Sequence, residues 1–351
     1  MKKNVFQPYI DTIDAALRAG KQRGSINKSF SNNLNGIGPT AMHETALSLP
    51  KHTKEKDKEL FDSLASLGIL SGVNAKYHEA LGSHPDFAHL KVNNTTEEHY
   101  IVSMFIDIKN STGMFEQYYP DTVANVTTTI QRLAIHVCWY FGGYVQRLHG
   151  DGLLAYFGGK NMQASQATEN AVNAASVFSY FMKTYLKSLF DSQGIKNIST
   201  RIGIDTGDAT DVLWHSAGTG ECSEVTTCSL HTSLAFKMQS SASLNGIIVG
   251  DNIKKYLPKF DQSLFSHQKY KTEDGESEYI YVIPAEGFQY KQWAFDWYKH
   301  LLSLQSVDED NGQLYFNSDA PAVIKPNAPV TPQRDIAALE RLASKNTPWL
   351  M

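Results

Sequence analysis

Residues 100–108, YIVSMFIDI, form a nearly unbroken apolar run, and the elements after it leave few folds open. Such a run reads as a central strand buried on both faces. After it, DTVANVTTTIQRLAIHVCWYF (121–141) sets Val123, Val126, Ile130, Leu133, Ala134 and Val137 three and four residues apart, the spacing of an amphipathic helix. YVQRL (144–148) and LLAYFG (153–158) then flank His149-Gly150-Asp151-Gly152, which reads as a β-hairpin with an Asp-Gly turn. A second long helix fits 164–190, with Ala171, Val172, Ala175, Phe178 and Met182 on one face, and STRIGIDTG (199–207) is the next strand. The order β-α-β-β-α-β is the split βαβ, ferredoxin-like arrangement, an α+β fold with an antiparallel central sheet and flanking helices. Beyond it, SLAFKMQ (233–239) reads as a short helix, GIIVG (246–250) and EYIYVI (278–283) as strands, and KQWAFDWYKHLLSLQ (291–305) as one aromatic-rich helix.

The 351 residues have room for one to three domains. Residues 1–95 read as an N-terminal helical and linker region: apolar spacing at 10–19, a Gly-, Ser- and Asn-rich stretch at 20–40, and a solvated helix start at 51–59 that continues to 70. Residues 96–286 carry the β-α-β-β-α-β pattern. Residues 287–351 hold the aromatic helix and a Pro-rich tail at 317–333, an extended connector. A net charge of −4 argues against a chain that coats nucleic acid or an anionic membrane by bulk charge. No stretch approaches the ~20 apolar residues of a spanning helix, and the start lacks a signal peptide's apolar core. Three cysteines are too few for a disulfide framework. Cys222 and Cys228, near His215 and His231, lack the paired spacing of a zinc site and read as reduced thiols. A cytoplasmic location fits this chemistry.

Asp107 ends the first core strand, and Asp151 sits in the hairpin turn. In a split βαβ sheet the first strand lies beside that hairpin, so the two carboxylates can face each other. Alone, Asp151 reads as an ordinary turn residue and Asp107 as a helix cap. Together, two carboxylates sharing a site call for a cation between them. Hard oxygen ligands in this arrangement suit two Mg²⁺ or Mn²⁺ ions, the pattern of in-line displacement at phosphorus. The backbone N–H groups from Lys109 to Gly113 are placed to cradle a polyphosphate.

Four stretches resemble one family. FIDIKNST (105–112), GGYVQRLHGDGLLAYFG (142–158), RIGIDTG (201–207) and SLAFKMQSSASLNGIIVG (233–250) are similar, in order and spacing, to the motifs of class III nucleotide cyclases, the adenylate and guanylate cyclase catalytic domains. The resemblance covers roughly 96–286 and implies the class III cyclase fold for that domain. It implies that Asp107 and Asp151 bind two divalent ions, Mn²⁺ or Mg²⁺, with the backbone of Ile108 contacting phosphate and the second metal. It further implies that Asn110, Ser111 and Thr112 close over a triphosphate, and that Lys269 or Lys271 binds it. Where purine cyclases carry an Asn and an Arg for ribose and transition state, this chain has Ser233 and Lys237. The base-reading position four residues before the hairpin aspartate is Arg147, and its partner aligns near Thr226.

These changed base-reading positions make the chain look like the pyrimidine cyclases of bacterial Pycsar anti-phage systems, with CTP the expected substrate and cyclic CMP the product. The resemblance implies a homodimer with shared active sites and a downstream effector that answers to the cyclic nucleotide, with neither nucleic acid nor membrane as a partner. A uridylate or adenylate cyclase with the same mechanism, and a nucleotide-binding sensor without turnover, are the alternatives.

Overall fold

The computed structural model describes residues 4–20, 54–64, 80–195, 198–272, 275–284, 287–304, 306–310 and 313–316. The expected linker beyond residue 20 and the Pro-rich stretch at 317–333 lie outside them. In chain order the elements are α1 (Gln7–Ala19), α2 (Lys54–Leu64), α3 (His89–Asn93), β1 (Glu97–Glu98), β2 (Ile101–Lys109), α4 (Pro120–Tyr140), β3 (Tyr144–His149) and β4 (Gly152–Phe157). Next come α5 (Ala164–Tyr180), α6 (Lys187–Ser192), β5 (Ser199–Gly207), β6 (Leu213–Thr219), β7 (Cys222–Cys228), α7 (Leu230–Ser241), β8 (Gly246–Gly250) and α8 (Asp251–Tyr256). The last are β9 (Phe265–His267), β10 (Lys269–Thr272), β11 (Gly275–Glu278), β12 (Ile280–Ile283), β13 (Phe288–Phe295), α9 (Trp297–Ser303), β14 (Val307–Asp310) and β15 (Gln313–Phe316).

The central sheet runs β12-β13-β8-β5-β2-β4-β3, with β9 also pairing β13. Its β5-β2-β4-β3 part is the expected ferredoxin-like order, with β2 antiparallel to both neighbours. Val102, Met104, Ile106 and Ile108 alternate along β2 into one core with Val126 and Ile130 of α4 and Val172 and Ala175 of α5. Each of the Val, Ile and Met side chains, fully buried, contributes about 1.5–3 kcal/mol. The intervening residues Ser103, Phe105 and Asp107 therefore point to the opposite face. A smaller sheet, β1-β6-β7, stands beside the central one over Phe87, Tyr156 and Trp214.

Contacts run past residues 95 and 286. Tyr9 of α1 donates from its hydroxyl to the Leu60 carbonyl (2.9 Å) and lies 2.8 Å from His136 Nδ1 of α4. Burial, with Arg132 nearby, drops the His136 pKa to about 4 and keeps its ring neutral. β13 belongs to the central sheet. The expected single helix at 291–305 is instead the end of β13 followed by α9. Pairing with β8, β9 and β12 outweighs the helical spacing of the aromatics, and the Asp296 side chain then caps α9 by accepting from Lys299 N (3.0 Å). The long helix expected at 164–190 is α5, a π-helical turn at Phe181–Leu186, and α6.

Two features seat α7 on the face of the sheet that carries Asp107. A Cβ on Gly203 of β5 would lie 2.1 Å from the Ala235 carbonyl oxygen and 2.4 Å from Gln239 N, so the helix rests directly on the strand. At its first turn, His231 Nδ1 lies 3.0 Å from the fully buried Asp205 carboxylate, which also accepts from Tyr290 Oη (2.6 Å) and Thr206 N (2.9 Å). Burial opposes charge on His231, but Asp205, with Asp211 and Asp208 adding, outweighs it and raises the pKa above 6.5.

Both features bear on stability. Gly203→Ala forces α7 away from β5 and is expected to cost about 1–3 kcal/mol, read from the denaturant midpoint. The His231 charge adds stability that is complete below its unfolded pKa and lost as pH rises through the raised folded value. The melting-temperature gap between wild type and His231→Gln is thus expected to be widest near about pH 6 and to shrink toward about pH 9. A gap constant over that range would overturn the ionic pairing.

Candidate active site

The hairpin sets Asp151 beside the end of β2 that bears Asp107. Ile106 of β2 is paired with Leu153 of β4, and His149 with Gly152 across the turn. The turn residues are Gly150 and Asp151, with Gly150 at φ +59° and Asp151 outside the left-handed region. The expected Asp-Gly turn is therefore a Gly-Asp turn: positive φ is needed at its first position, which glycine takes without strain. Gly152 does a different job. A Cβ there would lie 2.4 Å from the Ile106 carbonyl oxygen and 3.3 Å from Asp107 Cα. Its missing side chain lets the turn settle on the end of β2.

Asp107 accepts from Arg201 Nη2 at 2.6 Å, each side chain about one-quarter exposed, and the two residues face each other in the β2–β5 register. The Asp151 Oδ2 atom is buried with no hydrogen-bond partner among the described residues. His149 feels both acids: burial lowers its pKa, Asp107 and Asp151 pull it up, and Arg147 pushes it down. An orphaned carboxylate oxygen beside a second carboxylate is a donor set that fits a hard divalent cation, which commonly takes one or two carboxylates and completes its shell with water and phosphate. After β2 the chain turns at Asn110 (φ 65°) into a 3₁₀ turn at Ser111–Glu116, which Met114 anchors in the core. Ser111 and Thr112 open that turn, and Ile108 keeps its side chain buried while its backbone pairs with Thr200.

Helix α7 turns Ser233, Phe236 and Lys237 outward. Ser233 Oγ donates to the Ser229 carbonyl (3.1 Å), and Lys237 Nζ lies 5.6 Å from the centroid of the Tyr281 ring. Phe236 is half-exposed and meets Phe105 edge-on at 5.3 Å, on the same sheet face as Asp107.

Arg147 is paired with Glu224, two residues before Thr226 on β7. Arg147 Nε lies 3.1 Å from Glu224 Oε2, and Nη2 contacts the other carboxylate oxygen. Thr226 Oγ1 is 3.3 Å from the Tyr156 hydroxyl, which is also 3.0 Å from Thr227 Oγ1. β7 alternates sides, but a shift of two residues keeps the face, so Glu224 occupies the side expected of Thr226. The Arg147–Glu224 pair borders an open cleft of about 610 Å³, lined also by Leu81, Gly82, Ala217 and Cys222. Lys269 lies on β10 and not in a loop, 3.6 Å from Glu276, with Lys271 on the same strand. None of the described contacts joins Lys269 to the aspartates. Cys222 and Cys228 are exposed free thiols at opposite ends of β7.

Sequence reasoning missed Arg201 and Glu224. Arg201 had a signal: it opens RIGIDTG, and antiparallel pairing of that strand with 101–109 sets it opposite Asp107. Glu224 had none beyond being a charge between two cysteines.

No family model matches the chain. It is 39% identical over 248 residues to a cytidylate cyclase of Staphylococcus aureus, covering 69% of this chain and 58% of that protein. It is 31% identical over 289 residues to a cytidylate cyclase of Escherichia coli, covering 79% and 62%. The chain thus spans about three-fifths of the length of these two relatives. Among solved structures, the adenylyl cyclase CyaB from P. aeruginosa superposes with a TM-score of 0.47 at 15% identity, covering 62% of this chain and 99% of that one. The guanylate cyclase domain of RhGC from Catenaria anguillulae, solved with GTP, gives 0.42 at 16%, covering 56% and 97%. With the β5-β2-β4-β3 sheet, and with the Asp151 turn seated on the end of β2, the chain is a homologue of the proteins named cytidylate cyclase.

Proposed function

We propose that the chain converts CTP to 3′,5′-cyclic CMP and pyrophosphate. The observation that carries this reading is the buried, unpartnered Asp151 oxygen set against Asp107 at the end of β2. The names of the relatives supply the base.

Asp107, Asp151 and the Ile108 carbonyl would hold two divalent ions, Mg²⁺ or Mn²⁺, whose chemistry is to lower the pKa of the ribose 3′-OH and to neutralise phosphate charge. Arg201 holds the Asp107 carboxylate in one orientation. The backbone from Asn110 to Thr112 supplies N–H donors to the triphosphate. The 3′ oxygen bonds to the α-phosphorus as pyrophosphate departs, and Lys237 offsets charge on the five-coordinate phosphorus. Ser233 meets the ribose.

At the base, Arg147 donates to O2 and N3 of cytosine, while the Glu224 carboxylate beside it accepts from the N4 amine. Uracil offers a donor at N3 and an acceptor at position 4, the reverse of what this pair asks for.

A homodimer with shared sites completes the reading. What supports a second copy is the exposed apolar surface beside the site, Phe236 at 49% and Leu148 at 37% exposure. The cyclic product would act through a separate effector in antiviral defence, in the cytoplasm. Among the described residues no helix is long and apolar enough to cross a membrane.

The test offers purified protein ATP, GTP, CTP and UTP separately with Mn²⁺ and identifies cyclic products by mass spectrometry. Cyclic CMP is expected, reduced at least about 100-fold in Asp151→Ala; nucleotide binding without any product would convert the reading to a sensor. Glu224→Gln is expected to lower the CTP-over-UTP preference by about tenfold, because it replaces the acceptor for N4. Mixing inactive Asp151→Ala with inactive Lys237→Ala is expected to restore roughly a quarter of wild-type activity, since half the dimers then carry one intact site. No recovery after subunit exchange would refute the shared-site dimer.

A further inference from the structure

A stretch of chain that precedes the central sheet is built into the cleft at Arg147. Gly82 N donates to the Gln146 carbonyl of β3 (2.9 Å), and the Gly82 carbonyl accepts from Val225 N of β7 (2.8 Å). Ser83 N donates to the Tyr144 hydroxyl (3.0 Å), which donates in turn to the Ala80 carbonyl (2.9 Å). Gln146 Nε2 bridges directly to the Val225 carbonyl (2.8 Å). Residues 80–83 thus form a strap pinned on both sides, between the strand that bears Arg147 and the strand that bears Glu224.

The strap is held from below as well. Next along the chain, Phe87 is fully buried and stacks on Trp214 with ring centroids 4.0 Å apart, and His84 packs against both. Gly82, at φ +78°, brings the backbone so close to β7 that a Cβ would lie 3.3 Å from Glu224 Cβ. Against this anchoring, Leu81 is an anomaly. It is 50% exposed, yet its backbone is fixed, and its side chain lines the same cleft as Arg147 and Glu224. A rigidly presented apolar side chain beside a charged, ring-reading pair is placed to cover a flat apolar surface when one enters.

We propose that Leu81 is a specificity-determining residue, a wall that limits the ring read by Arg147 and Glu224 to one pyrimidine. The inference rests on the cyclase reading and deepens it: the charged pair tells cytosine from uracil by hydrogen bonding, and Leu81 separates pyrimidines from purines by space. It also gives residues 80–83, within the N-terminal region to which the sequence assigned no chemistry, a part in the base site.

The experiment offers an equimolar mixture of ATP, GTP, CTP and UTP with Mn²⁺ to wild type, Leu81→Ala, Leu81→Trp and Val92→Ala. Val92, 85% exposed on α3, controls for changes in this part of the chain. Leu81→Ala is expected to raise the ratio of cyclic purine to cyclic CMP products by about tenfold or more. Leu81→Trp is expected to raise the KM for CTP more than it alters kcat, and Val92→Ala to match wild type. A Leu81→Ala product ratio equal to wild type, or an equal loss of all four products, would overturn the proposal while leaving the cyclase reading intact. A wild-type protein that makes no cyclic CMP would bring down both.

Discussion

Antiparallel pairing of β2 with β4 on one side and β5 on the other sets where the candidate metal-binding acids lie. One pairing carries the hairpin turn, and with it Asp151, onto the end of β2; the other sets Arg201 opposite Asp107. Both depend on the same pleat. Val102, Met104, Ile106 and Ile108 must face the helices, so Phe105 and Asp107 must face away. A slip of one residue in either pairing would turn Asp107 into the core, where an unpaired carboxylate is costly. The burial that holds β2 in register therefore also fixes the acid in place.

The glycines of the site show how little of this geometry comes from polar contacts. Gly152 lets the turn approach β2, and Gly203 lets α7 approach β5. Each works through the atom it lacks. Close approach of backbones is what seats the Asp151 turn on the end of β2 and seats α7, with Ser233 and Lys237 turned outward, on β5. The buried Asp205–His231–Tyr290 network then fixes the first turn of α7, just ahead of Ser233.

The apolar run at 100–108, the helical spacing at 121–141 and the hairpin were legible because burial and periodicity are local properties of a chain. Asp107 and Asp151 were legible for a related reason: both sit at ends of elements whose neighbours the topology dictates. What escaped is non-local. Arg147 was singled out, but its partner was expected near Thr226, because an offset of two residues along β7 leaves the same face outward and nothing local separates the two positions. The aromatics at 293–298 satisfy helical spacing as well as strand alternation, and only pairing with β8 decides between them. No pattern in residues 80–83 announces a strap, since its own backbone groups make the hydrogen bonds, to residues more than sixty positions away.

Three cations of the candidate site are engaged before any ligand arrives: Arg201 with Asp107, Arg147 with Glu224, and Lys237 over Tyr281. With side chains from about one-fifth to one-half exposed, the two ion pairs add about 0–1 kcal/mol each to stability. Their value is directional. A guanidinium held by a carboxylate presents its remaining N–H groups along one fixed edge, so little side-chain entropy is left to lose when a base or phosphate meets that edge. The same small energies let a contact be exchanged for a stronger one at low cost. On the proposed reading, a chain with a net charge of −4 receives a polyanion in this way, through guanidiniums each held in place by an acid.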